Sequence, residues 1–271
     1  VARRRKRPLT AATADRWKLY ERSVQEPSAD CDLIEQVWRE RRGHLPRSLR
    51  EDFCGTALLA IEWVRRRPGN TAVAVDISPD VLALAEERVR RLLRPAQRRR
   101  VALVRGDVRR VRTPPVDTIV AGNFSYFLFK TRAALRGYLR ACRRALARDG
   151  LLLLDAYGGS DAHREIRERR ECGGFTYIWD QHVYNPVTAE VTNHIHFRFP
   201  DGTKLRRAFT YEWRLWSLPE LRELLLEAGF RDVTVYWEGS DGKTGEGNGI
   251  FTVTTRGEAC EGWIAYLVAA K

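Results

Sequence analysis

The stretch from Leu49 to Ala60, read with the strand after it, constrains this chain more than any other feature. Glu51 leads into a Cys54-Gly55-Thr56 turn, and an apolar-periodic helix follows. Thr71-Ala72-Val73-Ala74-Val75-Asp76 then reads as a buried strand ending in a carboxylate. Strand, glycine turn, helix, strand and acid is the plan of a nucleotide-binding βαβ unit. Asp76 follows Gly55 at close to the spacing of about 20 residues that such units show.

These residues resemble motif I of the class I S-adenosylmethionine (SAM) methyltransferases, whose usual form is acid-x-Gly-x-Gly-x-Gly. Glu51 takes the place of the acid, Phe53 of the first glycine, Gly55 of the second and Ala57 of the third. One glycine of three is kept, and the order of the elements after it strengthens the match.

The rest of the chain alternates strand and helix. Strand 1 is expected over 48–53, a helix over 56–66, and strand 2 over 71–76. Ser78-Pro79-Asp80 is a helix start, a cap followed by proline at the first position, and that helix runs to about Leu93. Strands follow at 101–105, 116–121 and 151–157, with a helix over 132–147 before the last. Continuous apolar strands between helices imply a parallel sheet covered on both faces. Upstream, 13–26 and a segment capped by Asp30 read as helices, the second ended by Gly43 and Pro46.

After strand 5 the pattern changes. Residues 160–171 read as a polar helix, and Phe175 to Trp216 as antiparallel strands with a hairpin turn at Pro200-Asp201-Gly202-Thr203. Pro219 to Gly229 returns to helix, and strands are expected at 232–238, 250–254 and 263–269. The domain plan is therefore a basic arm and helical lid (1–47), a Rossmann-like α/β core (48–158 and 215–271), and an antiparallel insert (159–214). In the resembled family, such an insert roofs the active site of enzymes that act on small molecules.

Composition sets outer bounds. With 271 residues and 44% hydrophobic content, the chain can bury one large core with an embellishment. No apolar run approaches the roughly 18 residues of a membrane helix, and no apolar segment follows the basic start, so a secretory signal is not expected. Five scattered cysteines without a CxxC imply free thiols in a reduced cytoplasm. The net charge is +13, and six lysines leave 42 arginines among the basic residues. Residues 88–112 hold 11 arginines against Asp107 alone. Such a face can bind phosphate backbones, but it lacks the interleaved aromatics of single-strand binders, so a solvated face is favoured over a nucleic-acid surface.

The resemblance implies a SAM site at the carboxyl ends of the strands. Phe53, Cys54 and Gly55 would face the methionine part, with Glu51 beside them. Asp76, with Ile77 after it, would take the ribose hydroxyls, and Asp107 and Val108 the adenine. Asn123 and Phe124, which end strand 4, would lie near the transferred methyl; this stretch is similar to the Asn-Pro-Pro-Tyr motif of amino-group methyltransferases, without its prolines. Phe53 departs from the pattern, so its side chain must point away from the ligand or the turn geometry fails. Tyr20 of the lid is a further cofactor candidate.

Methyl transfer needs placement and desolvation more than acid catalysis, because the leaving thioether is neutral. A base is needed only for a protonated acceptor. His182, His194 and His196 of the insert are the candidates, with Tyr126; His194 and His196 share one strand face. Trp17, Tyr177, Trp179, Tyr211 and Trp213 are candidates for an apolar acceptor pocket, against the plainer reading that they form the core of the insert. No metal site is expected. Gly242-Lys243-Thr244 is not a P-loop, because Trp237 stands where its first glycine should be. The reading is a SAM-dependent enzyme that methylates nitrogen or oxygen of a small molecule or short peptide. The alternatives are an RNA- or protein-modifying methyltransferase using the arginine-rich face, and a non-catalytic scaffold of the same fold.

Overall fold

The computed structural model describes residues 9–242 and 245–271. The first eight residues of the basic arm, and Lys243 and Thr244 of the glycine-rich loop, lie outside the described residues. In chain order, helices α1 (Arg16–Val24) and α2 (Pro27–Arg42) precede β1 (Ser48–Asp52), α3 (Leu58–Arg66), β2 (Thr71–Asp76), α4 (Pro79–Leu92) and the short α5 (Pro95–Arg98). Then come β3 (Val101–Arg105), β4 (Val116–Ala121), α6 (Arg132–Ala145) and β5 (Leu146–Gly158). Four strands follow: β6 (Arg167–Glu171), β7 (Thr176–Asn185), β8 (Glu190–Arg198) and β9 (Lys204–Arg214). The chain ends with α7 (Leu218–Glu227), β10 (Asp232–Ser240), β11 (Gly247–Thr254) and β12 (Trp263–Ala270).

Two units divide these elements. The larger comprises Glu26–Gly159 and Trp216–Lys271. Its sheet has the order β11-β10-β12-β5-β4-β1-β2-β3. Strands β3, β2, β1, β4 and β5 run parallel, and β12 is antiparallel to both β5 and β10. Leu151 and Leu153 of β5 join one apolar cluster with Ile34, Val37 and Trp38 of α2 and Ile61 and Val64 of α3. The alternate residues Leu152 and Leu154 are equally buried and point to the other face, because strand side chains alternate. That is why β5 reads as an unbroken apolar run. Because β1 to β5 are parallel, their carboxyl ends lie along one edge of the sheet.

Local chemistry sets the ends of the helices. Ser78 caps α4 by accepting the Val81 N–H, with Pro79 at the first helical position. Gly43 ends α2 in the left-handed region, at φ +72°. Asp30 does not cap α2, which starts at Pro27. It sits in the first turn instead, where its carboxylate accepts the Tyr266 hydroxyl at 3.3 Å.

The smaller unit joins the residues up to Gln25 to Ser160–Leu215. Its sheet has the order β6-β7-β8-β9, all antiparallel. The expected polar helix over 160–171 is a correction: a single 3-10 turn at Asp161–His163 is followed by strand β6. The charged run Arg167-Glu168-Arg169-Arg170-Glu171 carries no apolar stripe, and its backbone bonds go to β7 rather than within a helix. Leu19 of α1 packs with Phe175, Ile195, Phe197 and Phe199 to form this unit's core. Helix α2 belongs with the large sheet, where the sequence reading grouped it with α1.

Candidate functional site

The turn after β1 carries three left-handed residues: Phe53 (φ +56°), Gly55 (φ +54°) and Ala57 (φ +59°). For a residue with a Cβ this conformation costs roughly 1–2 kcal/mol. Three hydrogen bonds hold it in place. Cys54 N–H donates to the Val75 carbonyl at 2.9 Å, Ala57 N–H to the Cys54 carbonyl at 2.8 Å, and Gly55 N–H to Asp76 Oδ2 at 3.0 Å. The Phe53 ring packs beside Tyr138 and Phe129, with centroids 5.6 and 6.1 Å away. The turn thus holds Phe53 in the left-handed conformation that glycine adopts without strain. A Cβ built at Gly55 would meet nothing within 4 Å, so the backbone there stands open to a ligand.

Asp76 ends β2 beside this turn. Its second oxygen, Oδ1, accepts the Ser78 N–H at 2.9 Å. Both carboxylate oxygens are fixed by backbone donors, and each retains acceptor capacity. Ile77, the next residue, is 68% exposed, an unusual position for an isoleucine and a suitable wall for a flat apolar ring. Asp107 is more committed than expected. The Arg109 guanidinium donates to it from Nε at 3.0 Å and from Nη2 at 2.6 Å, and holds its carboxyl below the usual range. The Val108 carbonyl is already taken by Arg50 Nη2, at 2.9 Å.

Carboxylates crowd the strand ends. Glu51 is buried and accepts the Ala60 N–H in the first turns of α3, at 2.9 Å. Burial pushes its carboxyl up to about 8, with Asp30 and Asp76 adding to the rise. Asp155, near the end of β5, is pushed up to about 7 by burial, against the Phe124 N–H that it accepts at 2.9 Å. Asp30 is raised to about 6, again chiefly by burial. Asn123 and Phe124 are both left-handed, at φ +54° and +56°, so Asp155 braces a strained turn at the end of β4.

Tyr126 is a correction. It is fully buried, its hydroxyl donates to the Asp155 carbonyl at 2.7 Å, and burial raises its pKa well above the ordinary value. It supports the β4–β5 layer and is not placed to exchange protons with a substrate.

Sequence reasoning missed a buried ionic network beneath the turn. Arg50 Nε donates to Asp52 Oδ1 at 2.6 Å, and both side chains are 1% exposed or less. Tyr138 hydroxyl donates to the other Asp52 oxygen at 3.0 Å. Although burial opposes its charge, Arg50 is held above its ordinary pKa by Asp52. The signal was present in Arg50-Glu51-Asp52, three charged residues in a strand that the βαβ plan requires to be buried.

The smaller unit holds the remaining candidates. His196 has both ring nitrogens engaged: Nδ1 accepts the Arg207 N–H at 2.9 Å, which leaves Nε2–H to donate to Asp180 Oδ2 at 3.1 Å. With both positions used, His196 is poorly placed as a base. His194 is buried, its Nδ1 lies 2.9 Å from Thr210 Oγ1, and burial with Arg207 lowers its pKa. His182 is exposed, its ring 5.1 Å from that of His194. Trp17 packs edge-on against Phe209 at 5.0 Å, and Tyr20 lies 4.9 Å from the same ring. Tyr211 stacks on Trp213 at 4.5 Å, and Trp179 lies within 6.3 Å of both. Tyr177 adjoins Phe197 of the unit's core. These aromatics form one packed layer with α1.

Comparisons with known proteins bear on the fold that carries these residues. Residues 54–152 match the family model described as a methyltransferase domain. No curated protein sequence matches the chain. Among solved structures, it is similar to SAM-bound CalS10, an amino pentose methyltransferase from Micromonospora echinaspora involved in calicheamicin biosynthesis (TM-score 0.65, 17% identity, covering 94% of this chain and 95% of that one). It is also similar to the sugar N-methyltransferase KedS8 from Streptoalloteichus sp ATCC 53650 (TM-score 0.63, 18% identity, 100% and 97% covered). A third likeness is to the glycopeptide N-methyltransferase MtfA (TM-score 0.58, 20% identity, 91% of each chain covered). At these identities the likeness establishes a shared fold.

Proposed function

We propose, from the premise that this chain carries a methyltransferase domain of the class I fold, that it transfers a methyl group from SAM to a nitrogen of a small molecule or short peptide. The observation that carries this reading is the open turn at Gly55 braced by Asp76, at the carboxyl edge of a parallel sheet. Ligands of open α/β sheets bind along that edge.

The residues fit the cofactor. Gly55 offers bare backbone facing open space, and Asp76 offers acceptor capacity to two ribose hydroxyls. Exposed Ile77 offers an apolar wall to the adenine, and Asp107 a carboxylate shared with Arg109. Glu51, with its carboxyl raised to about 8 by burial, gains most from a cation beside it, such as an amino-acid ammonium group. When bound, the cofactor supplies an electrophilic methyl on a sulfonium centre.

Asp155 holds the Asn123-Phe124 turn through the Phe124 N–H, and so braces the backbone that carries the Asn123 amide at the end of β4. In this reading that amide orients the acceptor nitrogen. Nitrogen is preferred over oxygen because the similar sugar and glycopeptide enzymes are N-methyltransferases by their descriptions. His194 is the preferred base for an acceptor that arrives protonated, since its lowered pKa keeps it neutral at physiological pH. Acceptor contacts by Trp17, Tyr177, Trp179, Tyr211 and Trp213, a cofactor contact by Tyr20, and residence in the cytoplasm belong to this proposal as well. No helix among the described residues is long and apolar enough to cross a membrane.

The test is transfer of labelled methyl from SAM to a panel of amino sugars and amino-terminal peptides. Label on nitrogen of one acceptor class supports the reading. Label on oxygen alone overturns the nitrogen assignment, and cofactor binding without transfer to any acceptor favours the scaffold alternative.

A further inference from the structure

One face of the small sheet carries a row of cations around a cavity that the methyl-transfer reading does not use. Alternation along the strands gives this sheet two faces. Tyr177, Ile195 and Phe197 belong to the side that packs with α1. The opposite side carries Arg167, Arg169, His196, Arg198, Lys204 and Arg206, which line a cavity of about 170 Å³. Strand register builds the row: Arg169 stands opposite Ile178, Ile178 opposite His196, and Arg198 opposite Lys204.

This arrangement is electrostatically incomplete. Asp180 is the nearby carboxylate, and it is occupied by Arg167 at 2.9 Å and His196 at 3.1 Å. Arg169, Arg198, Lys204 and Arg206 form no ion pair with any described residue. Like charges directly opposite across a strand pair, as Arg198 and Lys204 are, destabilise a sheet. A bulge fixes the centre of the row: Arg207 is left-handed, at φ +49°, and its N–H holds the His196 ring. Guanidinium forks suit the oxygen geometry of phosphate, and several together suit its charge.

We propose that this cavity is an anion site that takes the phosphate groups of a small phosphorylated molecule. Its volume suits one or two phosphate groups. Single-strand binders add stacking aromatics to a basic groove; the rings of this lining are half-buried His196, held through both nitrogens, and Phe197, which is fully buried. The site lies wholly within the smaller unit and does not depend on the methyl-transfer reading.

Pyrophosphate is the probe, titrated calorimetrically into the full chain. Saturable binding near one per chain is expected. The exposed pair Arg169→Ala/Arg206→Ala should weaken it at least tenfold, with SAM affinity unchanged. Arg91→Ala/Arg99→Ala, which removes two exposed arginines of the larger unit, should leave it unchanged. If the first variant misfolds by circular dichroism, Lys204→Glu at the exposed start of β9 should give the same loss. Absence of saturable binding in the wild type overturns the proposal, as does equal weakening in both arginine pairs. Tighter binding of a single-stranded oligonucleotide, lost in Arg169→Ala/Arg206→Ala, overturns the assignment to a small ligand.

Discussion

The carboxylate of Asp76 accepts the backbone N–H of Gly55 at 3.0 Å, so the acid that ends β2 braces the turn that ends β1. The two halves of the βαβ signature are one hydrogen-bonded object. The same carboxylate accepts the Ser78 N–H, so the residue that serves the turn also sets the start of α4. A ligand that meets Asp76 finds it already oriented, which lowers the entropy cost of binding.

The Arg50–Asp52 pair should dominate the stability of this edge. Removing one partner of a buried ion pair leaves an uncompensated charge and costs roughly 3–5 kcal/mol. Asp52→Ala is therefore expected to lower stability by about that amount in urea unfolding. Tyr138→Phe, which removes one hydrogen bond to the same charged carboxylate, should cost about 1.5–3 kcal/mol.

Tyr126→Phe separates a structural role from a catalytic one. The loss of its bond to the Asp155 carbonyl should cost about 1 kcal/mol of stability. Turnover with any acceptor should stay within about twofold of wild type. A hundredfold drop in kcat with an intact fold would return Tyr126 to the list of reacting groups.

The buried carboxyls predict how stability depends on pH. Glu51 and Asp155 have folded pKa values near 8 and 7, above their ordinary values of 4.5 and 3.8. The folded state binds these protons more tightly than the unfolded state. Their contribution is therefore complete below the ordinary values and lost as pH rises through the folded ones. Without cofactor, Tm should fall between about pH 5 and pH 8. Glu51→Gln keeps an acceptor for the Ala60 N–H and should flatten that slope. A Tm that rises across the same window in the wild type would contradict the assignment.

The parallel core was legible because its strands, buried on both faces, read as apolar runs, and because Ser78-Pro79 and Gly43 mark helix ends by mechanisms that act locally. Residues 160–171 misled because a charged strand and a polar helix look alike when neither has an apolar stripe; only pairing with β7 decides between them. The role of Phe53 was illegible for a related reason. Its left-handed backbone is held by partners at Val75 and Asp76, far along the chain, and its ring by Phe129 and Tyr138. The histidines shared a face as the strand period required, but the engagement of both His196 nitrogens depends on a bulge at Arg207 that no residue pattern announces.

Calorimetric titration with SAM, on wild type and Asp76→Ala, tests the central claim most directly. Each charge-assisted hydrogen bond to a ribose hydroxyl contributes about 1.5–3 kcal/mol, so losing both should weaken binding by at least about a hundredfold. The account predicts micromolar binding by the wild type and that loss in a variant that remains folded by circular dichroism. Wild-type protein that gives no heat and no thermal stabilisation with SAM, alone or with acceptors present, would contradict it, as would a folded Asp76→Ala that binds as tightly as wild type.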